Sequence, residues 1–374
     1  MADWITGQRL INKFEEWARP QFAFEKDRIG LLIGSLDKPV RRVMVTLDVL
    51  ENVAEEAANK HVDLIVAHHP VIFHPLAQVL TDRGQGKIIS QCLKHDIAVY
   101  AAHTNLDVAE GGVNDLLAER LGLRETDILQ ETGCEPLYKI VIHAPDAHAE
   151  SIRRVLAECG VASNGHNHFC TSSSPGISAC FSKQVIYSDI SRSGILEHTD
   201  NVRIEGTVTE CLLEATMARV RTVCPCEQPV YELYRLPDAG KSYGLGRLGK
   251  LAEPMPFGDY CRFVKERFGL SGLRVTGNLK EQVETVAICG GDGNSLIPFA
   301  RERGADVLIS GDIYYHTAHD ALLCGLKVID AGHHIEAIMK QAVCRFLQHV
   351  ITEQGCKTEV IVSEAPTDPF QFIC

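Results

Sequence analysis

The sequence predicts an α/β protein: a two-part domain of mostly parallel strands built from the N- and C-terminal segments, with an α+β domain inserted between them. Three observations carry this reading. In both outer segments, short apolar runs end in polar or glycine-rich residues and lead into helical patterns. The middle section, about Glu131 to Pro237, instead runs strand, helix, strands, helix, strand. The size also fits, since 374 residues at 45% hydrophobic and 23% charged can bury a large core in two or three domains.

In chain order, Thr6 can cap a helix whose apolar Leu10, Ile11, Phe14 and Trp17 recur at helical spacing, and Pro20 stops it. Arg42 to Asp48 reads as a strand, Glu51 to Lys60 as an alanine-rich acidic helix, and Leu64-Ile65-Val66-Ala67 as a strand closed by His68-His69-Pro70. This is a βαβ unit, whose crossover implies parallel strands covered on both faces. A helix near Lys87 to His95 leads to a third strand, Ala98 to Ala102, and then directly to His103-Thr104-Asn105-Leu106-Asp107. The stripe of Leu116, Leu117 and Leu121 reads as core.

In the middle section, Leu137 to Ile142 is a strand, Pro145-Asp146 opens a helix to Cys159, and Gly160 ends it. A stretch rich in serine, glycine and histidine follows, including His166-Asn167-His168, then a strand at Val202 to Glu205, a helix near Leu212 to Val223 and a strand at Val230 to Tyr234. That order is ferredoxin-like. Residues 1–130 and 238–374 are thus two segments of one domain, and 131–237 the insertion. The spaced glycines of Lys241 to Gly249 lack the strand and helix that bracket a nucleotide fingerprint, so this stretch is expected to be a connection.

The last third repeats the opening plan. Val286-Ala287-Ile288-Cys289 is closed by Gly290-Gly291-Asp292-Gly293-Asn294-Ser295, Val307-Leu308-Ile309 by Ser310-Gly311-Asp312, and Val328-Ile329-Asp330 by Ala331-Gly332-His333-His334, each with a helix after it. The glycine-rich turn can cradle phosphate at a helix start or simply turn the chain; without a Walker lysine, the turn is expected.

Composition excludes some functions. No apolar stretch approaches the roughly 18 residues of a membrane span. Met1-Ala2-Asp3-Trp4 lacks the basic start and apolar core of a signal peptide, so a soluble cytoplasmic protein is expected. A net charge of -12 argues against general nucleic-acid binding. Fourteen cysteines scattered through a long chain suit reduced thiols, and Cys224-Pro225-Cys226 is too tightly spaced for a zinc knuckle.

The chemistry concentrates at the strand ends. Neighbouring strand residues face opposite ways, so His68 and His69 can serve one site only where the strand stops. An isolated pair of this kind is more often hydrogen-bonded than ligating, but His103, Asp107, His333 and Glu336 fall at the same carboxyl edge, where open α/β sheets bind ligands. His333 and Glu336, three apart at a helix start, share a face. Mixed imidazole and carboxylate ligands suit zinc, iron or manganese, and two ions sharing a carboxylate would satisfy so much charge. Asp312 and His316, four apart, either line the pocket or serve as cap and surface; Asp48 either supports a ligand from behind or caps a helix, and the cap is expected. The remaining histidines, among them His74, His95 and His319, read as solvated or satisfied.

Val45-Thr46-Leu47-Asp48, Ala67 through Phe73, His103 through Asp107, Ser310-Gly311-Asp312 and Asp330 through His333 resemble the motifs of the GTP cyclohydrolase type-2 homologues, the Ngg-interacting-factor-like family, across about 1–130 and 240–374. The resemblance implies a two-part α/β fold and a dinuclear metal centre, assembled as a homohexameric ring. It carries over His68, His69, Asp107, His333 and Glu336 as ligands of two divalent ions, with an insertion similar to PII-type signalling proteins. The family name implies hydrolytic ring opening of GTP or a related nucleotide; from the site itself, His103 or His316 is expected to handle the proton and Asp312 to touch the small-molecule substrate. The alternative is a non-catalytic metal- or ligand-binding regulator that uses the insertion as sensor or docking module. The chain departs from the family at Glu25-Lys26-Asp27-Arg28, at Cys224-Pro225-Cys226-Glu227 and around Ser172 to Ile190.

Overall fold

The computed structural model describes residues 4–161, 171–181, 196–224 and 230–373. His166-Asn167-His168 and Pro225-Cys226-Glu227 lie outside the described residues. The chain forms a mixed α/β structure of two compact units, Met1–Gly133 with Tyr243–Cys374, and Cys134–Ser242. Among the described residues, no helix is long and apolar enough to cross a membrane.

Besides the short pair Ile5–Thr6 with Pro39–Val40, the first unit holds strands of two larger sheets. In the first, the spatial order is Glu359–Val362, Arg42–Thr46, Leu64–Ala67, Ala98–Ala101 and Gly30–Ile33; the first four are parallel and the last antiparallel. Alternation sorts its side chains onto two faces. Val43, Val45, Leu64, Val66 and Tyr100 pack under the helices Gly7–Trp17 and Met339–Glu353, while Met44, Ile65 and Val99 pack under Glu51–Asn59 and Gly84–Lys94. Both faces are covered, as a parallel sheet requires. Each of these buried side chains contributes about 1.5–3 kcal/mol. Thr6 caps the first helix as expected, its hydroxyl accepting from Arg9 N at 3.3 Å. The strand Glu359–Val362 lies beside Arg42–Thr46, so the C-terminal segment completes the sheet begun by the N-terminal one.

The second sheet runs Arg274–Thr276, Lys327–Asp330, Val307–Gly311, Gln282–Asp292 and Val230–Pro256, the middle three parallel. Val286, Ile288, Val307, Ile309 and Ile329 join the same core as Val43 and Val66, so the sheets share an interior. The stretch Lys241–Gly249 is part of a strand, not a plain connection: Arg247, Leu248 and Gly249 pair with Ile288, Ala287 and Val286. Its glycines mark close backbone approach instead of a loop. A Cβ on Gly244 would run into the Gln130 carbonyl.

In the second unit, residues 137–144 pair antiparallel with 202–209, and Ser172–Phe181 pairs antiparallel with the strand Leu196–Thr209. The helices Asp146–Glu158 and Glu210–Val223 bury Ile152, Leu156, Met217 and Val220 against Ile140, Ile142 and Ile204.

Candidate metal centre

The ladder of Leu64–Ala67 runs on for two residues. His68 N and His69 N donate to Thr46 O (3.2 Å) and Leu47 O (2.9 Å), and only Pro70, which has no N–H, breaks it. At this strand end the two imidazoles nevertheless lie side by side, their ring centroids 5.0 Å apart, with His68 fully buried and His69 partly. The next strand, Ala98–Ala101, delivers His103 ahead of the short helix Thr104–Val108, which carries buried Asp107. From the second sheet, Lys327–Asp330 leads through Gly332, at φ 82, into the 3₁₀ helix His333–Ile338. In that geometry residues three apart eclipse, which stacks His333 over Glu336.

All four imidazoles are held at Nδ1. His68 donates to Ala102 O (2.8 Å), His69 to Asp48 Oδ1 (2.7 Å), His103 to Asp27 Oδ1 (2.8 Å) and His333 to Asp312 Oδ2 (2.6 Å). An outer carbonyl or carboxylate orients metal-binding histidines in this way. Three of the Nε2 atoms meet the buried carboxylates. His69 Nε2 is 2.9 Å and His333 Nε2 3.2 Å from Glu336 Oε2, and these nitrogens are 3.3 Å apart. His68 Nε2 is 3.5 Å from Asp107 Oδ1 and 3.7 Å from Glu336 Oε2. Neither His68 Nε2 nor Asp107 Oδ1 has a hydrogen-bond partner, although both are buried. Such orphans cost about 1–3 kcal/mol each unless something fills the space between them. A cation fits: the sets His68/Asp107/Glu336, His69/His333/Glu336 and His68/His69/His103 each offer ligand atoms within 4.8 Å of one another. Glu336 belongs to two of these sets.

The electrostatics agree with that fit. Burial opposes charge on His69, but its bonds to Asp48 and Glu336 raise it to about 10. His333 rises to about 9, chiefly through Glu336, with Asp312 adding to it. His68 rises as well, burial being outweighed by Asp107 and Glu336. Burial lifts Asp107 to about 6 against the pull of His68. Glu336, buried too, is held well below the carboxylate range by the three imidazoles. The cluster thus draws positive charge, which a divalent cation supplies in place of protons.

The structure brings His68, His69, His103, Asp107, His333 and Glu336 together and places Asp312 behind His333. It does not bring in His316, which is exposed on the helix Tyr315–Leu323 with its ring 5.3 Å from that of Tyr315. Asp48 is no helix cap: Leu50 occupies the cap of Glu51–Asn59 without a side-chain bond, while the Asp48 carboxylate serves His69 and Thr367. The turn at Gly290-Gly291 is there for Glu336. A Cβ on Gly290 would lie 2.9 Å from Glu336 Oε1, and one on Gly291 2.7 Å from it.

Asp27 is the residue that motif reading missed. It holds His103 and accepts from Thr104 N at 3.1 Å, and those bonds outweigh its burial to keep its carboxyl well below the usual range. Its signal lies in register: Gly30 pairs antiparallel with Ala101, so residues just before Gly30 lie beside those just after Ala101. The centre opens on a cavity of about 1940 Å³ lined by His69, His103 and His333 together with Arg120, Arg274 and Arg345.

Comparison with known proteins follows the same lines. The family model for Duf34/NIF3 (NGG1p interacting factor 3) matches residues 5–369. A Bacillus subtilis protein called GTP cyclohydrolase 1 type 2 homolog is 43% identical over 373 residues, covering 100% of both chains. One of the same name from Halalkalibacterium halodurans is 42% identical over 367 residues, 98% of this chain and 99% of its own. Among solved structures, a Bacillus cereus protein related to NIF3 superposes with a TM-score of 0.93 at 42% identity, and Staphylococcus aureus protein SA1388 with 0.77 at 28%, each covering 100% of both chains. The chain belongs to the Duf34/NIF3 family.

Proposed function

We propose that this protein is a dinuclear metal-dependent hydrolase acting on a small anionic substrate of the nucleotide type. One observation carries the reading: four imidazoles anchored at Nδ1 gather around two buried carboxylates at an open cavity, with His68 Nε2 and Asp107 Oδ1 left without partners. His68, Asp107 and Glu336 would hold one ion and His69, His333 and Glu336 the other, with Glu336 shared. Zinc, iron or manganese suits these donors. Bound there, such ions supply Lewis acidity and activate water.

The chain's own residues do the rest. His103, 21% exposed and held by Asp27, is placed to carry a proton at Nε2 on the cavity side. Arg120, Arg274 and Arg345 offer charge for phosphate, and Phe73, Phe268 and Phe370 offer faces for a ring. The relatives named GTP cyclohydrolase 1 type 2 homolog point to GTP as the first nucleotide to test. The second unit is read as a ferredoxin-like, PII-like insertion because its strands lie in the order Val230–Pro256, Arg124–Ala144, Leu196–Thr209, Ser172–Phe181. Assembly as a homohexamer in the cytoplasm completes the reading; exposed Tyr315, Leu323 and Phe372 supply apolar surface for self-association.

The test is turnover by protein loaded with manganese, iron or zinc against GTP and a panel of nucleotides and phosphoesters. The reading expects hydrolysis of at least one member, reduced about 100-fold or more in Glu336→Ala. Metal-replete protein that hydrolyses none of them overturns it in favour of a non-catalytic regulator.

A further inference from the structure

The glycine-rich turn after Gln282–Asp292 is only half explained by the site, since Gly290 and Gly291 make room for Glu336 but Asp292, Gly293 and Asn294 touch no candidate ligand. Two of its N–H groups are already engaged: Gly290 N donates to Asn114 Oδ1 and Asn294 N to Asp292 Oδ1, while Leu296 N just beyond donates to Gly293 O. We propose that Asn294 is a positioning residue for the metal centre, bracing the loop whose Asp312 aims His333. This rests on the metal-centre reading above.

The loop needs a brace. Asp312 sits at φ 53, a left-handed backbone that is disfavoured for a residue with a Cβ. Its carboxylate nevertheless stays 2.6 Å from His333 Nδ1. Asn294 spans this strained turn with both ends of its amide. Nδ2 donates to Asp312 O (2.9 Å), and Oδ1 accepts from Tyr314 N (2.9 Å). Between them, Ile313 N donates to Asp330 Oδ2 at 3.2 Å, so each residue of the turn is pinned.

Asp292 in turn locks Asn294. Its Oδ1 accepts from Asn294 Nδ2 at 2.5 Å, and its Oδ2 accepts from the Tyr314 hydroxyl at 2.7 Å. On the approach to the turn, Ser310 Oγ donates to Gly291 O at 3.0 Å, and Gly293 is bare because a Cβ there would collide with the Ser310 side chain. The chain of support therefore runs Asp292, Asn294, Asp312, His333. Nothing in it requires that Asn294 touch an ion.

Zinc is the probe, with the affinity of each bound ion measured by competition with a chromogenic chelator in the full chain. Asn294→Ala should weaken one ion about 10–100-fold, the usual effect of losing outer support, and leave the other within about threefold. Tyr314→Phe, which removes only an exposed hydroxyl, should weaken the same ion by less. In an Asp312→Ala background, Asn294→Ala should add less than about threefold, because it acts through Asp312. Two outcomes overturn the brace alone: unchanged zinc affinities in Asn294→Ala, or a loss shared by both ions and matched by a lower melting temperature of the metal-free protein. A wild type that binds no zinc overturns the metal-centre reading and the brace with it.

Discussion

Glycine 291 shows how closely single residues are fitted to the centre. At φ 63, it takes a backbone that favours glycine, and an added Cβ would lie 2.7 Å from Glu336 Oε1 and 3.4 Å from His333 Nε2. Gly291→Ala is therefore expected to displace the carboxylate shared by two ligand sets. Metal content should fall to less than half that of wild type by elemental analysis, while the backbone cost, about 1 kcal/mol, leaves the protein folded. Wild-type metal content in this variant would contradict the packing argument. The grouping of His68, His69, Asp107, His333 and Glu336 near strand ends was legible in the sequence, because His68 and His69 close an apolar run directly and the other three lie within a few residues of one. The residues behind them were not. Asp27 reaches His103 across 76 positions and Asp312 reaches His333 across 21, and no local pattern announces which carboxylate will face which Nδ1.

Helices and strands were easier to read than the ties between them. The apolar runs and helical stripes of the outer segments appear where their periodicity places them, and the strand misread as a connection, Lys241–Gly249, was hidden by glycines that serve backbone contact. The helix Glu51–Asn59 carries one tie that no pattern suggests. Glu56 accepts from Ser363 Oγ (2.6 Å), Glu364 N (3.0 Å), Ala365 N (3.2 Å) and Lys60 Nζ (2.8 Å). It thereby fastens the segment after the strand Glu359–Val362, next to which Thr367 supports Asp48. Burial opposes ionisation of Glu56, but Lys60, Ser363 and the two N–H groups prevail and lower it from 4.5 to about 2. A depressed carboxyl stabilises the fold above its unfolded value, and that stability is lost as pH falls from about 4.5 through about 2. Its full worth is of order 3 kcal/mol at neutral pH. Urea titrations should show Glu56→Gln less stable than wild type by up to that amount at pH 7, with the gap narrowing steadily toward pH 2. A gap independent of pH would show that the bonds do not depend on the charge.

The whole molecule explains why the centre is assembled from distant parts. Asp27, Asp48, His68, His69, His103 and Asp107 come from the N-terminal segment, and Asp312, His333 and Glu336 from the C-terminal one. The two segments share one core and one sheet, and both ligand sets that contain Glu336 draw residues from each of them. Folding and site assembly are then one event, and bound metal stabilises the fold by mass action. The central claim is that this assembled cluster holds a metal pair. Elemental analysis of the protein as purified, beside His68→Ala and Glu336→Ala, tests it most directly. The account predicts about two ions per chain in the wild type, with both variants depleted; a wild type that carries no metal would contradict it.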